Sequence, residues 1–195
     1  MKALVYTGAK TLDFRDVPDP VPAAGDALVT VAHVGICGSD MHAWAGHDDR
    51  RPAPLILGHE AAGVTAEGVR VTVNPLVTCG TCRDCRDGRE NLCAARQIIS
   101  MPPREGAFAE QLAIPRGNLV EVPDHVPTQV AALTEPLACG WHAVRLAARI
   151  LHRPLEEARC LVLGGGAIGL GAALALVTRG AREVHIAEPG AARRA

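Results

Sequence analysis

The stretch Cys160-Leu161-Val162-Leu163-Gly164-Gly165-Gly166-Ala167-Ile168-Gly169 decides how the later part of this chain folds. An apolar run from Cys160 to Leu163 enters three consecutive glycines, and an Ala- and Leu-rich run to Arg179 follows. That order predicts a buried strand, a tight turn and a helix from about Ala167 to Arg179, with a further strand at Glu183 to Ala187. Gly164, Gly166 and Gly169 give the G-x-G-x-x-G spacing in its informative context, after a strand and opening a helix. Such glycines permit the turn and let the backbone and the helix N-terminus approach a pyrophosphate, so Gly164, Gly166, Ile168 and Gly169 are candidate cofactor contacts. Glu188 ends the next strand, where an acidic side chain accepts hydrogen bonds from an adenosine ribose and repels a 2′-phosphate; this favours NAD over NADP. Arg193 and Arg194 either face solvent or offer charge near a phosphate, and Arg193 joins the candidate cofactor residues.

A complete doubly wound domain is built from two halves, each with several strands. The 195 residues end just after the second strand of the first half, which predicts a truncated nucleotide-binding domain with an unpaired sheet edge. Leu161 to Val177 holds no polar residue and reaches the lower length limit of a membrane span. Its glycines make a buried strand, turn and helix the better reading, so no membrane partner is expected.

Upstream the pattern differs. From Met1 to about Pro127, short apolar runs such as Ala27 to Val34 and Val69 to Val73 alternate with Pro and Gly clusters, predicting a mostly β domain with long loops. From 128 onward the chain is Ala- and Leu-rich, with helices expected at Gln129 to Leu133 and Leu137 to Leu151. Domains are therefore expected over 1–127 and 128–195. The chain is 48% hydrophobic but only 3% aromatic, so its cores must be filled by many small aliphatic side chains. A net charge of −1 with scattered arginines provides no field for nucleic acid. The start, MKALVYTGAKTLDF, has no apolar run of signal-peptide length, which predicts a cytoplasmic protein.

Seven cysteines in a reducing compartment are expected to be metal thiolates or free thiols rather than disulfides. Cys79, Cys82, Cys85 and Cys93 form C-x2-C-x2-C-x7-C in a polar loop, a set that suits a closed tetrahedral zinc site. An iron–sulfur ferredoxin shares the opening spacing, but there the fourth cysteine follows after three residues and precedes a proline. A second, dispersed group comprises Cys37-Gly38-Ser39-Asp40-Met41-His42, Gly58-His59-Glu60 and Glu135-Pro136. Each is weak alone; together they supply the thiolate, imidazole and carboxylate of a zinc site that keeps a position open for substrate. Cys139, in an Ala-rich helical run, and Cys160, opening a strand, read as packed small residues. Trp44 and Trp141 are packing residues or pocket walls.

With KALVY, VGICGSDMHAW, LGHEAAG, the four-cysteine loop, GAFAEQLAIP, NLVEVPDHVP, AALTEPLACGWHA and VLGGGAIGLGAALA in this order, the sequence resembles the zinc-dependent medium-chain alcohol dehydrogenases along its whole length. It is most similar to the sorbitol, threonine and polyol dehydrogenase branch, because Glu135-Pro136 stands where classical alcohol dehydrogenases place a zinc-binding cysteine. The resemblance implies a GroES-like, partly open β barrel with a structural zinc loop, followed by the start of an α/β Rossmann domain. It implies a catalytic zinc on Cys37 and His59 with Glu60 or Glu135, an Asp40 that orients His59, and a proton relay through Ser39 and His42. NAD would be the hydride acceptor, a small alcohol or polyol the substrate, and a homo-oligomer the common assembly. The stretch AAGVTAEGVRVTVNPLVT after Glu60 is shorter than is usual in the family, so a turn or strand of the β domain is expected to be shortened. Two classes of function follow: an oxidoreductase or its amino-terminal part, and a non-catalytic zinc-binding remnant or partner subunit. Little or no turnover is expected of this chain alone.

Overall fold

The structure is a computed structural model and describes residues 1–194. The first unit, Met1–Leu133, runs β1 (Lys2–Gly8), β2 (Thr11–Asp16), β3 (Asp26–Gly35), α1 (Gly38–Trp44), β4 (Leu55–Ile56), β5 (Glu60–Thr65), β6 (Arg70–Val73), β7 (Leu76–Val77), α2 (Arg83–Arg86), β8 (Gln97–Ile98), β9 (Gln111–Pro115), β10 (Leu119–Glu121) and α3 (Thr128–Ala131). Five strands form an antiparallel sheet in the order β10-β6-β5-β3-β9, and a second sheet has the order β2-β1-β4. Together they make a half-open barrel, with Val29, Val71, Val73, Leu112 and Ile114 of the larger sheet in one apolar cluster and Val5, Tyr6, Leu55 and Ile56 of the smaller sheet in clusters of their own.

The small residues fill it as expected. Along β3, Ala27 and Val29 are buried while their neighbours are less so, the period of two that turns alternate side chains inward. Val29, Ile99 and Ile114 are fully enclosed, joined by Val71, Val73 and Leu112. Burial of each large aliphatic side chain contributes roughly 1.5–3 kcal/mol. The central strand β5 is buried along nearly its whole length. It turns back into β6 through a tight hairpin in which the Gly68 amide donates to the Thr65 carbonyl over 2.9 Å and Gly68 has φ of 84°. This hairpin is the form taken by the stretch expected to be short.

One irregularity in β3 sets the geometry at the end of the sheet. On the β5 side, Val31 pairs with Gly63 but His33 pairs with Ala62, so Ala32 is an extra residue in β3. A bulge of this kind shifts the register by one and re-aims every side chain beyond it. Past the bulge, Gly35 lies opposite Glu60.

The second unit, from Thr134 onward, contains α4 (Thr134–Ile150), β11 (Arg159–Leu163), α5 (Ala167–Thr178), β12 (Glu183–Ala187) and α6 (Ala191–Arg194). β11 and β12 pair in parallel from Arg159↔Glu183 to Leu163↔Ala187, with α5 as the crossover, so this is a βαβ unit. The helix expected from Leu137 begins instead at Thr134, because Pro136 falls in its first turn, where a missing N–H costs no intrahelical bond. The helix expected at Gln129 to Leu133 is the single turn α3, packed in the first unit where Ala131 meets Ala62 and Val122. α4 and α5 approach closely: a Cβ at Gly140 would lie 2.5 Å from the Ala172 nitrogen. Val144, Leu155, Ala175 and Leu176 form the core of the unit, with Cys160 and Val162 packed against it. Cys160 is thus the small packing residue expected. Leu161 and Leu163 point the other way and are 63% and 79% exposed. Leu161 to Val177 is a strand, a turn and a helix, and among the described residues no helix is long and apolar enough to cross a membrane.

Candidate functional site

Two groups of potential metal ligands assemble in the first unit. The four-cysteine loop projects from the short ladder β7–β8, in which Leu76 pairs with Ile98 and Val77 with Gln97. Cys82 caps α2 and Cys85 lies within it, which turns both thiols to one side, and a 3-10 turn at Glu90–Leu92 returns Cys93 to them. The Sγ···Sγ separations are 3.5 Å for Cys82–Cys85, 3.6 Å for Cys93–Cys79 and 3.9 Å for Cys79–Cys85. A zinc–sulfur bond of about 2.3 Å in a regular tetrahedron places its sulfurs about 3.8 Å apart. The four thiols therefore fit a zinc ion, and they are too far apart for disulfides. Cys93 is fully buried and Cys85 nearly so, whereas Cys79 is exposed. The amides of Thr81 and Cys82 hold the Cys79 thiol down at about 6, while burial pushes the Cys85 thiol up.

The second group is built by the bulged pairing of β3 with β5. Cys37 follows β3 and caps α1; His59 and Glu60 lie at the start of β5, after the left-handed turn at Gly58, whose φ is 89°. The ligand atoms of Cys37, His59 and Glu60 all lie within 4.8 Å of one another, with His59 and Glu60 buried. One soft thiolate, one imidazole and one carboxylate on that scale suit a zinc ion.

Asp40 braces this group from behind. It is 3% exposed on the first turn of α1, where Oδ2 accepts the Cys37 amide over 2.9 Å and Oδ1 accepts the Gly58 amide over 3.2 Å. Oδ1 also stands 3.6 Å from His59 Nδ1, an ion-pair separation. Burial would raise the Asp40 pKa, but His59 and the two amides outweigh it and hold the carboxyl below its ordinary value. Ser39 is half-buried and His42 exposed on the same short helix. Glu135 lies in the first turn of α4 in the second unit, where its Oε1 is 3.6 Å from Cys139 Sγ. Cys139 is exposed rather than packed, because it falls on the outer side of α4.

Trp44, Met41, Ile36 and Asp40 line an open apolar cavity of about 730 Å3 with Leu12 and Phe14. Trp141 instead stands on α4 with the Arg179 guanidinium 5.7 Å from its ring.

In the second unit the glycine-rich turn has the expected build. Gly164 has φ of 102°, and Gly166 caps α5. A Cβ at Gly169 would overlap the Gly164 carbonyl oxygen, so only glycine lets the helix sit down on the turn. Space is open around Gly164 and Gly166, which leaves their backbone approachable, while Ile168 is half exposed. These residues fit a dinucleotide phosphate. The Glu188 side chain is 6% exposed and already engaged: Oε2 accepts the Gly165 amide over 2.8 Å and Oε1 the Gly190 amide over 2.6 Å. Those amides hold its carboxyl below the usual range. Arg193 stands 3.4 Å from Glu188 Oε1, and Arg194 donates to the Glu188 and Pro189 carbonyls. Both arginines therefore have local partners.

Four residue roles escape the sequence reading. Gly35, Gly58 and Gly165 take part in the two sites through backbone or empty space, a role that no side chain signals. Arg51, 5% exposed, links Asp48 to the Ser100 carbonyl in the segment after α1, and nothing in the spacing of these three signals it.

Comparison with known proteins respects the same division. Residues 23–124, just over half the chain, match the model of the alcohol dehydrogenase GroES-like domain. The chain is 37% identical to L-galactonate-5-dehydrogenase of Escherichia coli (strain K12), over 100% of this chain and 58% of that protein. It is 39% identical to L-threonine 3-dehydrogenase of Saccharopolyspora erythraea, over 96% of this chain and 57% of that one. Among solved structures, an alcohol dehydrogenase of Escherichia coli CFT073 complexed with NADH superposes with a TM-score of 0.88 at 31% identity, covering 99% of this chain and 58% of that one. The chain thus spans less than two thirds of the length of these relatives. The chain belongs to the zinc-dependent medium-chain alcohol dehydrogenase family.

Proposed function

We propose that this chain supplies the zinc-bearing part of an oxidoreductase that oxidises a polyol or other secondary alcohol with NAD by hydride transfer. The observation that carries the reading is the trio of half-buried Cys37 and buried His59 and Glu60, with ligand atoms within 4.8 Å of one another. Zinc bound there supplies Lewis-acid polarisation of a substrate hydroxyl, and NAD supplies the hydride acceptor. The residues of the chain do the rest. Asp40 faces His59 Nδ1, which fixes the ring and leaves Nε2 as the ligand nitrogen. Glu60, or Glu135 from the second unit, is the carboxylate partner of Cys37 and His59. Ser39 Oγ takes up the hydroxyl proton as it gives its own to the exposed His42 ring, which passes a proton to solvent. The four-cysteine loop is a structural zinc site, distant from substrate in sequence and closed in ligand number.

For the nucleotide, Gly164, Gly166, Ile168 and Gly169 receive the pyrophosphate at the start of α5, and Glu188 receives the adenosine ribose. The Glu188 charge, with Arg193 and Arg194 held locally, favours NAD over NADP. Seven cysteines outside any disulfide fit a reducing, cytoplasmic compartment, and a homo-oligomer is the assembly common in the family.

The test is NADH formation from sorbitol, threonine and simple secondary alcohols. It uses this segment joined to the remaining part of L-galactonate-5-dehydrogenase, with Cys37→Ser as the control. Turnover lost in the control is expected. Turnover that survives Cys37→Ser, or its absence from a chimera that binds both zinc and NAD, overturns the assignment and leaves a non-catalytic zinc-binding segment. The 195-residue chain assayed alone should show little turnover, because hydride transfer requires alcohol and nicotinamide to be held in near-attack geometry.

A further inference from the structure

Glu60 reaches Cys37 and His59 from a strand position directly opposite Gly35. A Cβ placed on Gly35 would overlap Glu60 Oε2, and would lie 3.0 Å from Glu60 Cβ and 3.2 Å from its Cδ. The space beside Gly35 is therefore where the Glu60 carboxylate resides. We propose that Gly35 is a positioning residue for the ligand group, acting only by having no side chain. This inference rests on the reading of Cys37, His59 and Glu60 as a metal site.

The register makes the pairing specific. Had the register before the bulge continued, Gly35 would face position 59 and Val34 would face position 60, an arrangement that sets a branched apolar side chain against the carboxylate. The bulge brings the one residue without a side chain to the one position whose side chain must fold back across the strand. Gly35 does not have a left-handed φ, so alanine is compatible with its backbone. The atom it would overlap, Oε2, is the far end of a flexible side chain, and Glu60 Cβ, at 3.0 Å, has only to give by a few tenths of an ångström. The least costly response is rotation of the Glu60 carboxylate away from Cys37 and His59, with the sheet retained.

A double-mutant cycle on the 195-residue chain tests this, using Gly35→Ala, Glu60→Ala and the double variant. Each protein is titrated with Co2+, and its bound equivalents, its thiolate-to-cobalt absorption and its thermal transition are recorded. The four-cysteine loop serves as an internal control for folding. In wild type, two equivalents are expected. In Gly35→Ala the loop retains its ion, while the second equivalent binds about 10- to 100-fold more weakly, the usual effect of disturbing a ligand's support. In the Glu60→Ala background, Gly35→Ala should leave affinity unchanged and cost less stability than it does in wild type, because the carboxylate it displaces is gone and only the Cβ contact at position 60 remains. If Gly35→Ala does not fold but the double variant does, the clash with Glu60 is established directly. Unchanged affinity in Gly35→Ala overturns the proposal, as does an equal loss with and without Glu60. A wild-type chain that binds cobalt only at the four cysteines instead overturns the metal-site reading itself.

Discussion

The Gly165 amide donates to Glu188 Oε2 over 2.8 Å, tying the turn after β11 to the end of β12. A single carboxylate thus spans the two ends of the βαβ unit, with its other oxygen on the Gly190 amide. Glutamine keeps the shape but can accept at only one of its two ends, and it sets an N–H against a backbone N–H at the other. Glu188→Gln should therefore speed amide exchange at Gly165 and Gly190 several-fold, as read by native-state hydrogen exchange. In the chimera with L-galactonate-5-dehydrogenase it should also lower the preference for NAD over NADP by about tenfold, the value of one charge-assisted hydrogen bond. Unchanged exchange at both glycines would mean that the carboxylate does not hold the turn.

Cys85→Ser should reduce bound zinc from two equivalents to one. It should also lower the melting temperature by about 10 °C or more, because a structural zinc contributes its binding free energy to folding. Metal analysis and calorimetry on the same samples check both. Loss of zinc without loss of stability would make the loop an accessory site.

Asp40→Asn should weaken metal binding at Cys37 and His59 by about 10- to 100-fold while leaving the four-cysteine loop loaded. The neutral amide offers one acceptor where the carboxylate serves the Cys37 amide, the Gly58 amide and His59. Competition against a chelator of known affinity measures the change at each site separately.

Acid stability should report the Asp48 cluster that follows α1. Asp48 receives Arg50 Nε over 2.8 Å and the Arg51 guanidinium, and these hold its carboxyl well below the usual carboxylate range. A depressed native pKa adds stability that is complete above the unfolded value of about 3.9 and is lost as pH falls below it. Asp48→Asn should cost about 2 kcal/mol at pH 7, below the figure for a fully buried pair because Arg50 is solvent-exposed. The wild-type and mutant curves should converge below about pH 4. Parallel curves across that range would place the stabilisation elsewhere.

Much of this was legible in the residues, for a physical reason. Strand β12 at Glu183–Ala187 and the start of α5 at Ala167 follow from apolar period and glycine punctuation, signals that lie within a few residues of one another. The four cysteines are equally local. The trio Cys37, His59 and Glu60 was recognisable only because two motifs, CGSD and GHE, could be read together; their approach depends on strand pairing. The Ala32 bulge was not legible, since a register shift is settled by both strands at once. The helix expected from Leu137 starts at Thr134, since Pro136 falls in the first turn, which tolerates it. Engagement of Glu188 by backbone amides leaves no trace in a sequence, because any residue supplies an amide.

The compactness of the four-cysteine loop has a kinetic corollary. Its ligands span Cys79 to Cys93, so they can meet after closing one short loop, a search on the order of 10–100 ns for ten residues. Cys37 and His59 come within reach only once β3 and β5 have paired past the bulge, a slower, non-local event. A nascent chain in scarce zinc would consequently fill the loop first and the Cys37 group last. Partially metallated molecules would then be intact in outline and empty at the position that matters for chemistry, so the activity of a preparation would track the last increment of zinc rather than the first.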